Sequence, residues 1–110
     1  MERFVKGAIV IIPFPFSDLS KAKRRPAMVL ADLHGNDSIL CQITSKGIRD
    51  NYSVPLLEKE FEKGSLRQES NIRPNKIFTA DNSIIEYQIG SLKREKIKQV
   101  VEKACSIIRG

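Results

Sequence analysis

Four cations stand close together near the start of the chain: Lys21, Lys23, Arg24 and Arg25. One acid, Asp18, precedes them, and Pro26 follows Arg25 directly. A proline biases the residue before it toward an extended backbone, so Arg25 is expected to occupy a fixed position. A guanidinium on a stiff backbone presents a planar fork of donors that suits a phosphate group. The pattern favours a phosphate-binding segment, with an ordinary surface arginine beside a proline as the alternative.

Other reactive groups are sparse in this sequence. His34 is the only histidine, so one chain cannot supply a histidine pair as general acid and base. Glutamates at positions 58, 60 and 62 alternate along the chain, and side chains two residues apart do not share a helical face. Cys41 and Cys105 lack the spacing of metal ligands and are predicted to be small buried hydrophobes. We therefore expect no metal and no cofactor.

Apolar runs on both sides of the four cations predict two core strands, with the cations on a basic loop between them. Residues 7–12 and 27–31 are nearly continuous apolar runs, typical of strands that are buried on both faces. Pro13 and Pro15 cannot donate ladder hydrogen bonds, so we expect them to end the first strand and leave it at a sheet edge. A turn at residues 34–37 predicts that residues 38–44 pair back as a third strand.

The second half of the chain predicts more strands and then a helix. A short strand is expected at residues 52–56, a helical turn at 57–63, and a strand at 70–80 that Pro74 interrupts with a bulge. Ser91 is a suitable N-cap for a helix with apolar residues at 97, 100, 101, 104 and 108. Lys96 falls on its charged face. The elements predict a mainly β fold, a small closed or half-closed barrel with a C-terminal α-helix packed against it.

The composition predicts one domain that spans residues 1–110. The chain has 110 residues, 41% of them hydrophobic and 29% charged, which is ordinary for a globular protein. Its net charge of +6 suits a nucleic-acid binder or a protein with an acidic partner, and a merely solubilising surface is the alternative. We find no apolar run of about 18 residues and no signal-peptide pattern, and we expect a cytoplasmic protein without a membrane span.

Several ordered segments resemble the MazF/PemK family of toxin endoribonucleases: residues 6–10, 13–19, 23–30, 41–45, 70–79 and 89–92. The resemblance implies a small SH3-like barrel of the CcdB/MazF type and sequence-specific cleavage of single-stranded RNA, as by an mRNA interferase. Arg25 matches the catalytic arginine of the family, and Thr44 matches its second catalytic position. In the metal-free route that this implies, the ribose 2′-hydroxyl attacks its own phosphate and leaves a 2′,3′-cyclic phosphate and a 5′-hydroxyl.

Two features of this chain bear on that chemistry. Arginine is a poor general base because its pKa lies above about 12. Some family members carry an acid several positions before the Arg-Pro pair, whereas residues 20–23 of this chain hold none. Asp18 is therefore a candidate orienting group only. A threonine that simply ends a strand is the alternative for Thr44.

The RNA-binding residues that the sequence suggests are polar or aromatic neighbours of this pair: Phe14, Phe16, Lys21, Lys23, Arg24, Ser45 and Lys46. The two phenylalanines are either stacking platforms for bases or packing residues at a barrel rim. The resemblance also implies a homodimer and a cognate antitoxin that inhibits it. The competing interpretation is a non-catalytic CcdB-like toxin, or a nucleic-acid or antitoxin-binding module on the same fold.

Overall fold

Strands make up most of the described chain, and a single long helix ends it. A computed structural model describes residues 3–14, 23–47 and 50–110. Its elements are β1 (Ala8–Phe14), β2 (Lys23–Asp32), β3 (Asp37–Thr44), β4 (Val54–Leu56), β5 (Phe61–Gly64), β6 (Ser70–Asp81), β7 (Tyr87–Leu92) and α1 (Arg94–Arg109). Short 3-10 turns lie at Glu58–Glu60 and Asn82–Ile84. The predicted mainly β fold with a C-terminal helix is confirmed.

The described strands form one curled antiparallel sheet in the order β4, β6, β3, β2, β1, β7, β5. Strand β1 pairs with β2 on one side and with β7 on the other, so the prediction that it lies at an edge is wrong. Pro13 is tolerated because the β1–β7 ladder stops at Ile11, and the missing N–H therefore removes no bond to β7. The strand continues through Pro13 to Phe14, so Pro13 does not end it as predicted. The prediction that Lys23, Arg24 and Arg25 lie on a loop is also wrong. They belong to β2, because the β1–β2 ladder extends to the pair of Phe14 with Lys23.

Two apolar clusters occupy opposite faces of the central strands. Ile9 of β1 packs into the first with Met28 and Val100, which brings α1 onto that face. Val10 and Ile12 pack into the second. The alternation confirms that β1 is buried on both faces. Burial of Cys41 in the first cluster raises the pKa of its thiol to about 12, which confirms its predicted role as a small core residue.

Strand β6 carries the predicted interruption. Cys41 pairs with Ile77, whereas the next residue, Gln42, pairs with Arg73. The extra residues of β6 contain Pro74, which is fully buried. The bulge changes the register between β3 and β6, and beyond it Thr44 lies opposite Asn71.

Helix α1 departs from its sequence-based description at two points. It begins at Arg94 with Lys93 as N-cap, because Ser91 belongs to β7 and pairs with both β1 and β5. Lys96 does not face solvent. Its Nζ lies 3.1 Å from the Pro55 carbonyl oxygen and 3.3 Å from a carboxylate oxygen of Glu60, so this lysine ties the helix to β4 and to the following 3-10 turn.

Candidate active site

The adjacent ends of β2 and β3 bring the two candidate catalytic residues into one cleft. These strands pair at Ala27 and Gln42, and two further residues along each strand lead to Arg25 and Thr44 on the same side of the sheet. Both residues line a cleft of about 260 Å³. Leu66 and Gln68, from the chain between β5 and β6, and Ser70, the first residue of β6, also line it. The side chains of Arg25 and Thr44 are both half-buried.

Thr44 is oriented by the turn that follows it. The backbone N–H of Lys46 donates to Thr44 Oγ1 at 3.2 Å. Asn71 lies opposite Thr44 on β6, and its Nδ2 donates to the Lys46 carbonyl oxygen at 3.2 Å. A hydroxyl has one hydrogen and two lone pairs. Oγ1 therefore uses one lone pair on Lys46, and its hydrogen can be donated to another acceptor.

Asp50, which lies between β3 and β4, is bound to β6 through Arg73. Arg73 Nη2 donates to Asp50 Oδ2 at 3.1 Å, and the other oxygen of Asp50 accepts from the backbone of Tyr52 and Ser53. These hydrogen bonds, first those from Ser53 and Tyr52 and then the charge of Arg73, lower the pKa of Asp50. Asn71 and Arg73 therefore attach the segment after Thr44 to β6 at two places.

Arg24 has an ionic partner inside the chain. Its Nε donates to Glu86 Oε1, and this hydrogen bond, followed by the charge of Glu86, raises the pKa of Arg24. Arg24 also lines the cleft beside Arg25. The two consecutive arginines thus have different surroundings, since neighbouring residues on a strand point to opposite faces.

The structure places the other suggested RNA contacts as follows. Lys23 and Ser45 line the cleft, and Lys46 is exposed beside it. Phe14 is only 8% exposed, and its ring meets Phe78 edge-to-face with centroids 4.8 Å apart. Phe14 is therefore a packing residue, the second of the two roles that the sequence allowed. Phe16, Lys21 and Asp18 lie outside the described residues.

The three alternating glutamates, at positions 58, 60 and 62, do not form a common site. Glu60 contacts Lys96, Glu58 accepts from the Ser65 hydroxyl at 2.7 Å, and Glu62 is exposed. Over the ranges that the structure covers, no three His, Cys, Asp or Glu side chains converge as a metal-binding group would require.

Sequence reasoning did not single out Asn71, Asp50 or Glu86. Asn71 has a weak signal, because it alternates with Arg73 along a predicted strand and so shares its face. Glu86 has none, since its contact with Arg24 crosses β1 and joins residues 62 positions apart.

The family model of the PemK-like, MazF-like toxin of type II toxin-antitoxin systems matches residues 5–108. This chain therefore belongs to the PemK/MazF toxin family. No curated protein matches it. Within the described residues, no helix has the length and apolar character needed to cross a bilayer.

Solved structures of this family share the fold. A MazE–MazF complex from Deinococcus radiodurans has a TM-score of 0.77 at 20% identity, over 96% of each chain. The Mycobacterium tuberculosis toxin MazF-mt6 has a TM-score of 0.67 at 22% identity, over 91% of this chain and 93% of its own. A mycobacterial endoribonuclease in complex with its cognate antitoxin has a TM-score of 0.69 at 13% identity, over 94% and 96%. The similarity confirms the predicted SH3-like, MazF-type barrel.

Proposed function

We propose that this chain is an endoribonuclease toxin that cleaves single-stranded RNA without a metal ion. The observation that carries the proposal is the placement of Arg25 and Thr44 in one cleft at the ends of neighbouring strands. Membership of the toxin family supports it, as does the similarity in fold to a protein described as an endoribonuclease.

The proposed reaction begins with attack of a ribose 2′-hydroxyl on the adjacent phosphorus. The new P–O bond closes a 2′,3′-cyclic phosphate as the bond to the 5′-oxygen breaks. The 2′-hydroxyl loses one proton, and the leaving 5′-oxygen gains one to become a hydroxyl. Negative charge grows on the equatorial phosphate oxygens. Arg25 offers two parallel N–H donors to those oxygens, and the Thr44 hydroxyl donates a further hydrogen bond.

RNA outside the scissile phosphate is held by cations and polar groups around the cleft. We propose that Lys23, Arg24, Ser45 and Lys46 contact backbone phosphates. Lys21 and Phe16 retain their sequence-based roles as proposals, as phosphate contact and stacking platform respectively. Contacts of this kind bind single strands with little dependence on base sequence.

A substrate with one altered ribose tests the reaction. Once a cleaved RNA oligonucleotide is found, 2′-deoxyribose is placed at the scissile position only. We expect cleavage to stop and binding to persist, because the nucleophile is lost while the phosphates remain. The natural oligonucleotide should be cut equally well with a chelator present, and its products should carry a cyclic phosphate. Cleavage of the 2′-deoxy substrate would show that water is the nucleophile and would overturn this mechanism.

The partners follow from the same proposal. We propose that a cognate antitoxin inhibits this chain in the cytoplasm and that two copies form a homodimer. Solved complexes of related folds with MazE and with a cognate antitoxin support the first point. Light scattering of the purified protein tests the dimer. Absence of cleavage in every RNA assay, with a folded protein, would favour the non-catalytic interpretation.

A further inference from the structure

One of the arginines proposed to bind RNA, Arg24, forms an ion pair with an acidic side chain of the same chain, Glu86. Arg24 Nε donates to Glu86 Oε1. The Arg24 side chain is 70% exposed and that of Glu86 is 33% exposed, so the ion pair is open to solvent. An RNA strand that enters the cleft meets this pair at its rim.

The position of Glu86 relative to the sheet determines where it holds the Arg24 side chain. Arg24 lies on β2 opposite Pro13 of β1. Glu86 lies immediately before β7, and its backbone N–H donates to the Ile11 carbonyl oxygen at 2.9 Å. Since β1 separates β2 from β7, the carboxylate draws the guanidinium across β1. Thr44 lies on β3, on the other side of β2, so Glu86 draws Arg24 toward β7 and away from Thr44.

We propose that Glu86 sets the RNA affinity of this chain by competing with a backbone phosphate for Arg24. The inference rests on the proposed function. Carboxylates and phosphodiesters accept the same N–H donors of a guanidinium, so Arg24 cannot give its full fork to both. RNA that contacts Arg24 has to displace Glu86, and the displaced carboxylate then repels the phosphate.

Removal of the charge on Glu86 tests this competition. Glu86→Gln keeps the shape of the side chain and removes its charge. The control is Glu102→Gln on the exposed face of α1, which changes the net charge of the protein by the same amount. The probe is a short mixed-sequence RNA with 2′-fluoro riboses, which lacks the attacking hydroxyl and reports binding alone by fluorescence anisotropy.

We expect Glu86→Gln to bind this probe about two- to fivefold more tightly than the control at low salt, the range set by an exposed ion pair. The slope of log affinity against log salt should steepen by roughly 0.7, as for one extra phosphate contact on a single strand. In an Arg24→Ala background, Glu86→Gln should have no effect beyond that of the control, because nothing remains to compete for.

Three results would overturn the inference. Affinity equal to that of the control would show that Glu86 does not compete. Weaker binding would show that it orients Arg24 for RNA. Tightening that persists without Arg24 would reflect general charge. Glu86→Ser, with folding checked by circular dichroism, provides a second variant. If the wild-type protein binds and cuts natural RNA while Glu86→Gln behaves as the control, only this inference falls; if the wild type does neither, the proposed function falls too.

Discussion

Arg25 owes its position to its backbone. It stands two residues from the last β2–β3 pair at Ala27, and Pro26 restricts it to an extended conformation. The following residues 27–30 are buried. The side chain therefore projects from a rigid strand into the cleft, and its guanidinium loses little entropy when it grips a phosphate.

Arg25→Ala is expected to abolish most RNA cleavage and to leave the fold intact. The loss of one preorganised donor at a developing charge costs about two to three orders of magnitude in turnover. Turnover of a cleaved oligonucleotide, measured beside the thermal midpoint of unfolding, checks both statements. Arg109→Ala, at the exposed end of α1, is the matched control and should cut normally. Near-normal cleavage by folded Arg25→Ala protein would remove this residue from the site.

Thr44 depends on Asn71 for its orientation, through the turn at Lys46. We expect Asn71→Ala to slow turnover by about tenfold, because a misplaced hydroxyl no longer meets the phosphate, while RNA affinity changes little. Thr44→Val should be at least as slow. The double variant should be no slower than Thr44→Val alone, since Asn71 acts through the hydroxyl that is already gone. Additive losses would show that Asn71 has a role apart from Thr44.

Among the secondary-structure elements, α1 is linked through Lys96 to β4, one of the two outermost strands of the sheet. Lys96 donates to the carbonyl oxygen of Pro55 in β4 and pairs with Glu60 just before β5. Glu60 in turn accepts from the Leu57 backbone at 3.4 Å. One buried lysine thereby fixes the segment between the two outermost strands, which has little sheet pairing of its own.

Lys96→Met is expected to lower the free energy of unfolding by about 1–3 kcal/mol. The substitution keeps the aliphatic stem but leaves the Pro55 carbonyl and the Glu60 carboxylate without their donor. Urea unfolding followed by circular dichroism measures the change. Lys98 is exposed on the same helix. The free energy of unfolding of Lys98→Met should therefore stay within about 0.5 kcal/mol of the wild type. Equal stabilities for the two variants would contradict this account of the helix contact.

For the molecule as a whole, the position of the positive charges is more informative than their number. The net charge of +6 alone says only that anions are attracted. Lys23 and Arg24 line the cleft, and Lys46 is exposed beside it. Positive charge is therefore concentrated around the candidate catalytic pair, as the proposed contacts with RNA phosphates require.

Neutralising Lys23 or Lys46 is expected to weaken RNA binding for all sequences alike. Each lost phosphate contact should reduce the magnitude of the salt slope by roughly 0.7 on a single strand. Binding of several unrelated oligonucleotides across a salt series measures both effects, with Lys98→Ala as the control for net charge. A salt slope unchanged by both variants together would place the RNA elsewhere on the surface.

Local sequence patterns predicted strands β1, β2, β3, β4 and β6 and the C-terminal helix, and the family resemblance supplied the candidate catalytic pair. They missed β7, and they predicted a helical turn over residues 57–63, where only Glu58–Glu60 is helical and Phe61–Gly64 forms β5. Strands β2 and β3 and the bulge at Pro74 follow from local apolar runs and from proline geometry, which act over neighbouring residues. The same local rules misplaced β1 at an edge and put Lys96 in solvent. In both cases a distant partner decided the outcome, β7 for the strand and Glu60 for the lysine.

Only the tertiary structure decided which groups surround Arg25 and Thr44. Asn71 reaches the turn after Thr44 because the bulge in β6 changes its register with β3. Glu86 reaches Arg24 because β7 returns beside β1. The ring of Phe14 packs against Phe78, and this contact separates the two roles that the sequence left open. Such contacts depend on which strands pair across long separations in sequence. The period of two assigns a residue to a face of its own strand but does not identify the strand beside it.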